Sequence, residues 1–258
     1  MAFFSLFSNA KGIDFNYPQD VSKAASADLN AALKSGDGQL AVDALVRFSI
    51  AQSGISDDNL PVIISRIDST IKLERRPAYK ALLRYFEAVV FDQYMDHAGV
   101  FGRTASPDVE NPEDYSEWAP VQFRAKIEEL VKSSVSDAAS LKAVKVTDLD
   151  KILTYDDMGA TYVPTLYQFL LMKGIELLPY SSTSAQLAND WIASVEGDVP
   201  ATIYANVKNY PSKSAEIYNR YIDNEHSALA LSTCPVATST SGYRSMWRVS
   251  PTVTTHPK

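Results

Sequence analysis

The run Tyr162-Val-Pro-Thr-Leu-Tyr-Gln-Phe-Leu-Leu-Met-Lys-Gly-Ile-Glu-Leu-Leu-Pro179 limits what this chain can become more than any other stretch. Leu166, Phe169, Leu170, Ile175, Leu177 and Leu178 cover most of a helical cylinder, so the segment predicts a helix with little solvated surface. Pro164 suits the first turn, where its missing N–H costs nothing, and Pro179 closes the far end. A helix of this kind needs neighbours on several sides. The fold class expected is therefore all-α.

The preceding chain is punctuated in the same manner. Val21, Ala25, Leu29, Ala32 and Leu33 recur at helical spacing from Asp20, and Gly36 stands where a C-terminal glycine belongs. Leu40, Ala44, Leu45, Phe48 and Ala51 form a second stripe closed by Gly54; the short Ser35-Gly-Asp-Gly38 link predicts an antiparallel hairpin. Ser56 or Asp57 caps a third helix with Leu60, Ile64, Ile67 and Ile71, and Pro77 opens a fourth that buries Ala78, Leu82, Tyr85, Phe86, Val89 and Val90. His97 to Tyr115 has almost no periodicity and reads as a surface loop.

Glu117 and Pro120 fit the first turn of a fifth helix, with Trp118, Phe123, Ile127, Leu130 and Val131 inside. Thr147 caps a short helix holding Leu149, Ile152 and Leu153. After the 164–178 helix come another from Ser182 or Thr183 to Val195, a weaker stretch from Ala201 to Asn206, and a last helix from Ser214 with Ile217, Tyr218, Tyr221 and Ile222. Successive hairpins predict an irregular α-solenoid, TPR-like only in degenerate form because no repeat of about 34 residues recurs. Alternating strand patterns with hairpin dipeptides are missing, so no significant sheet is expected.

Three regions follow from composition. Residues 1–19 read as a leader and linker, 20–231 as the helical-hairpin domain, and 232–258 as a Ser/Thr-rich tail with no carboxylate, either disordered or the product of a lost frame near Cys234. Within the leader, Ala2-Phe-Phe-Ser-Leu-Phe-Ser-Asn-Ala10 ends in small residues at signal-peptidase spacing, although no Lys or Arg precedes it. It reads as the end of a clipped export signal, which places the chain in the periplasm or cell envelope; as an apolar tail against the domain, it leaves the chain cytoplasmic. A net charge of −7 lacks the basic face that nucleic acid requires, and no apolar run reaches the roughly 18 residues of a membrane span.

Tests for chemistry are negative or weak. His97, His226 and His256 show no paired-ligand spacing, Asp223-Asn-Glu-His226 reads as an exposed polar turn, and Asp156-Asp157 as a solvated turn. No phosphate-cradling glycine loop or nucleophile elbow is present, and Cys234 reads as a passive thiol. No catalytic residue, metal or cofactor is expected. Tyr79, Tyr94, Tyr162, Tyr167, Tyr204, Tyr210, Tyr218 and Tyr221 read mostly as edges of the helical core; lining a recognition groove is the other role open to them.

Three blocks carry a family resemblance: Arg76-Pro-Ala-Tyr-Lys-Ala-Leu-Leu-Arg-Tyr-Phe-Glu87, Ser116-Glu-Trp-Ala-Pro-Val-Gln-Phe123, and Tyr162-Val-Pro-Thr-Leu-Tyr-Gln-Phe169. In order and spacing they resemble the N-terminal helical region of large bacterial alpha-2-macroglobulin-like proteins, where a Tyr-x-Pro-Thr-Leu-Tyr-Asp-Phe run is typical. The motif residues are Tyr162, Pro164, Thr165, Leu166, Tyr167, Phe169, Trp118 and Phe123. What the resemblance implies is an exported cell-envelope protein of the endopeptidase-inhibitor type. The chain departs from that family in lacking a Cys-x-Glu-Gln thioester and any macroglobulin sandwich. The expected role is thus a non-catalytic scaffold for protein–protein interaction, a fragment ahead of the inhibitor body, its partner the remainder of such a chain or another envelope protein. The alternative is a glycan- or small-molecule-binding helical domain using exposed Tyr residues with Trp118 or Trp191.

Overall fold

The computed structural model describes residues 17–97, 100, 114–153, 163–178 and 181–194, His97 by its backbone alone. Among the described residues there are eight α-helices and no β-strand. Residues 1–16 of the leader and linker expected over 1–19, most of the His97–Tyr115 loop, Asp156-Asp157, Tyr162 and Pro179 lie outside them. So do Val195, the helices expected at 201–206 and from Ser214, His226, Cys234, His256 and the tail. The remainder of the expected linker, from Pro18, belongs to the first helix. Contacts divide the described chain into two compact units. One runs to Ser136 and includes Leu149–Leu153; the other comprises Asp137–Asp148 and the residues from Val163 to Ser194.

The first unit begins with α1 (Pro18–Ser35) and α2 (Gly38–Ile55). Gly36 ends α1 at φ 74°, a left-handed conformation that glycine adopts without penalty, and Asp37 caps α2 by accepting the Leu40 N–H at 3.0 Å. The helices are antiparallel. Gln52 Nε2 donates to Ser22 Oγ at 2.7 Å and Arg47 Nη1 meets Asp28 at 2.9 Å, so partners ascend on α1 as they descend on α2. Ala25, Leu29, Ala32, Val42, Ala44 and Leu45 are fully buried between them and their neighbours.

A 3₁₀ turn, Asp57–Asn59, leads into α3 (Leu60–Leu73), and α4 (Pro77–His97) follows. α4 packs on α2, α3 and α5 (Pro120–Ser134), which explains a run from Ala81 to Phe91 buried at every position but Arg84. α4 and α5 are again antiparallel: Arg84 reaches the Ser133 carbonyl near one end, and Phe91 and Tyr94 meet Phe123 near the other.

The second unit contains α6 (Ala138–Lys142), a 3₁₀ turn entering at Val146, α7 (Leu166–Leu177) and α8 (Ser182–Ser194). α7 lies within the run Tyr162–Pro179. Ten of its twelve residues are buried, and within its unit it packs on α6 and α8.

Several boundaries differ from expectation for local reasons. Gly54 lies inside α2, which runs to Ile55 and is ended by the extended Ser56. Ser56 caps the 3₁₀ turn rather than α3, accepting from Asp58 N–H at 3.1 Å. Glu117 precedes α5, whose start is set by Pro120 and by Gln122 Oε1 accepting the Ala119 N–H at 2.8 Å. Pro164 stands before the cap of α7, so Thr165, not proline, begins that helix. The α-helix expected after Thr147 is a 3₁₀ turn, yet Leu149, Ile152 and Leu153 are buried as the stripe required. Leu40, placed in the α2 core by periodicity, is 37% exposed because it sits in the first turn beside the open Asp37 cap. α8 is capped by Ser181, whose Oγ accepts from Ser184 N–H at 2.9 Å.

Candidate functional site

The three blocks singled out in the sequence occupy three built places. The first is a clasp at the Arg76 end of α4. Glu74 Oε1 accepts from the backbone N–H groups of Arg75 and Arg76 and from Arg76 Nε, each at 2.9 Å, while Arg76 Nη2 meets Oε2 at 2.8 Å. This bidentate fork leaves Nη1 to donate to the Gly36 carbonyl at 2.6 Å, and the guanidinium lies 4.4 Å over the Tyr79 ring. The α3–α4 turn is thereby fastened to the α1–α2 turn. Burial opposes ionisation of Glu74, but the Arg76 side chain, the two backbone donors and Coulomb attraction outweigh it, holding the carboxyl below its ordinary range. The same hydrogen bonds raise the Arg76 pKa against the opposing effect of burial.

The second block builds an aromatic cluster between α4 and the entry to α5. Trp118 stacks on Phe91 at 5.8 Å and 8°, with Tyr115 and Phe123 edge-on at 4.9 and 5.2 Å. Phe91, 5.2 Å from Tyr115 and 79° inclined, closes the group. Such pairs add to the stability of buried ring area. Trp118 is half-buried and Phe123 fully buried.

The third block assembles the start of α7. Thr165 Oγ1 accepts from Gln168 N–H at 3.3 Å, Gln168 Oε1 accepts from Thr165 N–H at 3.3 Å, and Gln168 Nε2 donates to the Ser194 carbonyl at 2.9 Å. One glutamine therefore caps the N-terminus of α7 and the C-terminus of α8. The Pro164 carbonyl accepts from Val146 N–H at 3.0 Å, and Leu166 N–H donates to Val144 at 2.8 Å, around an isolated Lys145–Thr165 bridge. Leu166 and Phe169 are core residues. Tyr167 is 8% exposed beneath the Lys142 ammonium, 5.1 Å from its ring, and burial together with Asp190 pushes its hydroxyl pKa up.

Sequence reasoning missed the buried charges. Glu87 is 2% exposed, and burial, reinforced by Asp68, pushes its carboxyl up to about 7. Asp92 is raised to about 6 by burial and by Asp96 one turn on. Lys173, 3% exposed in α7, pairs with Glu176 at 2.8 Å. The signal was present: a polar residue inside a helix apolar all round, as in Phe86-Glu-Ala88 or Met172-Lys-Gly174, has no solvated face to occupy.

Of the aromatic residues weighed as platforms, Trp191 is 1% exposed, and the rings of Trp118, Tyr79, Tyr94 and Tyr167 each have a partner. Among the described residues, no group of three or more His, Cys, Asp or Glu side chains is disposed to hold a metal ion. No described helix is long and apolar enough to cross a membrane. No protein-family model, no curated protein and no solved structure matches the chain.

Proposed function

We propose that this chain is a non-catalytic helical scaffold whose hairpins stack as an irregular, degenerate TPR-like solenoid and present a face to another protein. Its place is ahead of the macroglobulin and thioester domains of an alpha-2-macroglobulin-like envelope protein. One observation carries the reading: Arg76 and Tyr79 of the first block, Trp118 and Phe123 of the second, and Thr165 and Gln168 of the third are engaged in a clasp, a ring cluster and a double cap, all of which position helices. Three antiparallel pairs, α1–α2, α4–α5 and α7–α8, supply the units such a stack requires.

Titration calorimetry of the purified chain against a separately produced macroglobulin-domain body tests the proposal. Saturable binding is expected. Absence of binding overturns the assignment to that family, and hydrolysis or group transfer at an enzyme-like rate overturns the scaffold reading. The glycan-binding alternative needs an available indole face, and both Trp118 and Trp191 are packed. An envelope glycan panel is accordingly expected to leave tryptophan emission unchanged.

A further inference from the structure

Glu87 lies near the middle of α4, the helix that touches α2, α3 and α5. It is 2% exposed, and none of the hydrogen bonds or ion pairs formed among the described residues involves it. The charges that act on it come from three helices. Asp68 on α3 and Glu129 on α5 repel a carboxylate there; Lys126 on α5 and Arg84 on α4 attract it. Both cations are committed elsewhere, Lys126 to Glu129 at 3.3 Å and Arg84 to the Ser133 carbonyl at 3.3 Å. α2 contributes no acting charge: its Asp43 and Arg47 engage each other and Asp28 of α1.

We propose that Glu87 is a proton-operated latch on the α4–α5 hairpin. With its proton in place the carboxyl is neutral and the hairpin closed. When the proton leaves to solvent, a carboxylate remains buried on the helix that packs on α3 and α5, and opening the hairpin to water relieves its desolvation and the repulsion from Asp68 and Glu129.

The sign follows from linkage. The closed form holds its proton up to about pH 7, whereas a solvated Glu releases it near the ordinary 4.5. The closed state binds the extra proton between those values, so opening becomes easier as pH rises across that interval and levels off above it. Asp92, raised to about 6 from 3.8 with Asp96 as its neighbour, acts in a lower window. From pH 6 to 7 Glu87 is the larger contributor, by about fivefold, and Asp92, half titrated at 6, adds about twofold.

Hydrogen exchange on the full chain, normalised for the intrinsic pH dependence of exchange, reads the latch directly. Protection of α4 and α5 peptides is expected to fall about tenfold between pH 6 and 7, about fivefold of it from Glu87, and then level off. In Glu87→Gln only the roughly twofold fall due to Asp92 is expected to remain, and in E87Q/D92N none. Asp68→Asn, which removes a repelling charge, moves the levelling point to lower pH; Lys126→Gln, which removes an attracting one, moves it higher. A wild-type protein with constant protection from pH 6 to 7, or an E87Q protein retaining the full fall, overturns the latch. If E87Q does not fold, the two neighbouring variants decide: failure to shift in opposite directions overturns it equally.

Discussion

Gly38 is where a single methyl group decides whether the clasp can close. A Cβ there meets Arg76 Nη2 at 2.5 Å and the Tyr79 ring at 2.6 Å, and neither is free to withdraw because Glu74 and the Gly36 carbonyl hold the guanidinium. Gly38→Ala is expected to cost about 1–3 kcal/mol in urea unfolding through overpacking. Gly36 differs in mechanism, since a Cβ there meets nothing within 4 Å and the strain of φ 74° is all that Gly36→Ala adds, about 1 kcal/mol. Gly36→Asn should recover most of that loss, because asparagine tolerates the left-handed region; equal losses for Ala and Asn would refute the backbone explanation. At the centre of the clasp, the depressed Glu74 carboxyl contributes stability that is present above its ordinary 4.5 and lost as pH falls through its folded value. Glu74→Gln is expected to remove part of the acid-side loss, measured as a flatter urea midpoint below pH 4.5.

Elements are governed by their caps. Thr165→Ala takes from α7 a side-chain cap worth about 1 kcal/mol. Gln168→Asn should cost at least as much, because the shorter amide cannot reach both Thr165 and Ser194. A double-mutant cycle in urea is expected to show coupling between the two positions, and additive losses would mean that the reciprocal cap does not act as a unit. These caps also show why the helices were readable in the sequence. Pro77 and Pro120 open the helices they were expected to open, and apolar spacing identified the central positions of each stripe; Val42, Val46, Ile63, Leu83, Phe91, Leu171 and Met172 are buried beyond it because their helices are covered on more than one side. Gly54 misled because a glycine near a helix end ordinarily stops it, whereas here the extended Ser56 does so two residues later. α6 escaped because five residues carry too little periodicity to register. The clasp was beyond reach for a different reason: its partners, Gly36 and Arg76, are joined only once the two hairpin turns meet in space.

At the scale of the molecule, two compact units imply unfolding that need not be two-state. The raised carboxyls, Glu87 and Asp92, both belong to the unit built from α1 to α5. That unit is expected to lose stability as pH rises from about 4.5 to 7, by on the order of 3 kcal/mol from Glu87 alone. Pulse proteolysis in urea can follow it by its own fragments. The double variant E87Q/D92N should flatten the profile; an unchanged slope would mean that other groups set it.

The near-complete enclosure of α7 bears on how the chain is made. Synthesis delivers this greasy rod to the tunnel exit before α8, so Leu166, Phe169 and Leu170 wait without the cover that Leu187, Ala188, Trp191 and Ile192 later bring. A ribosome paused in that interval displays an adhesive surface to whatever chaperone stands nearest.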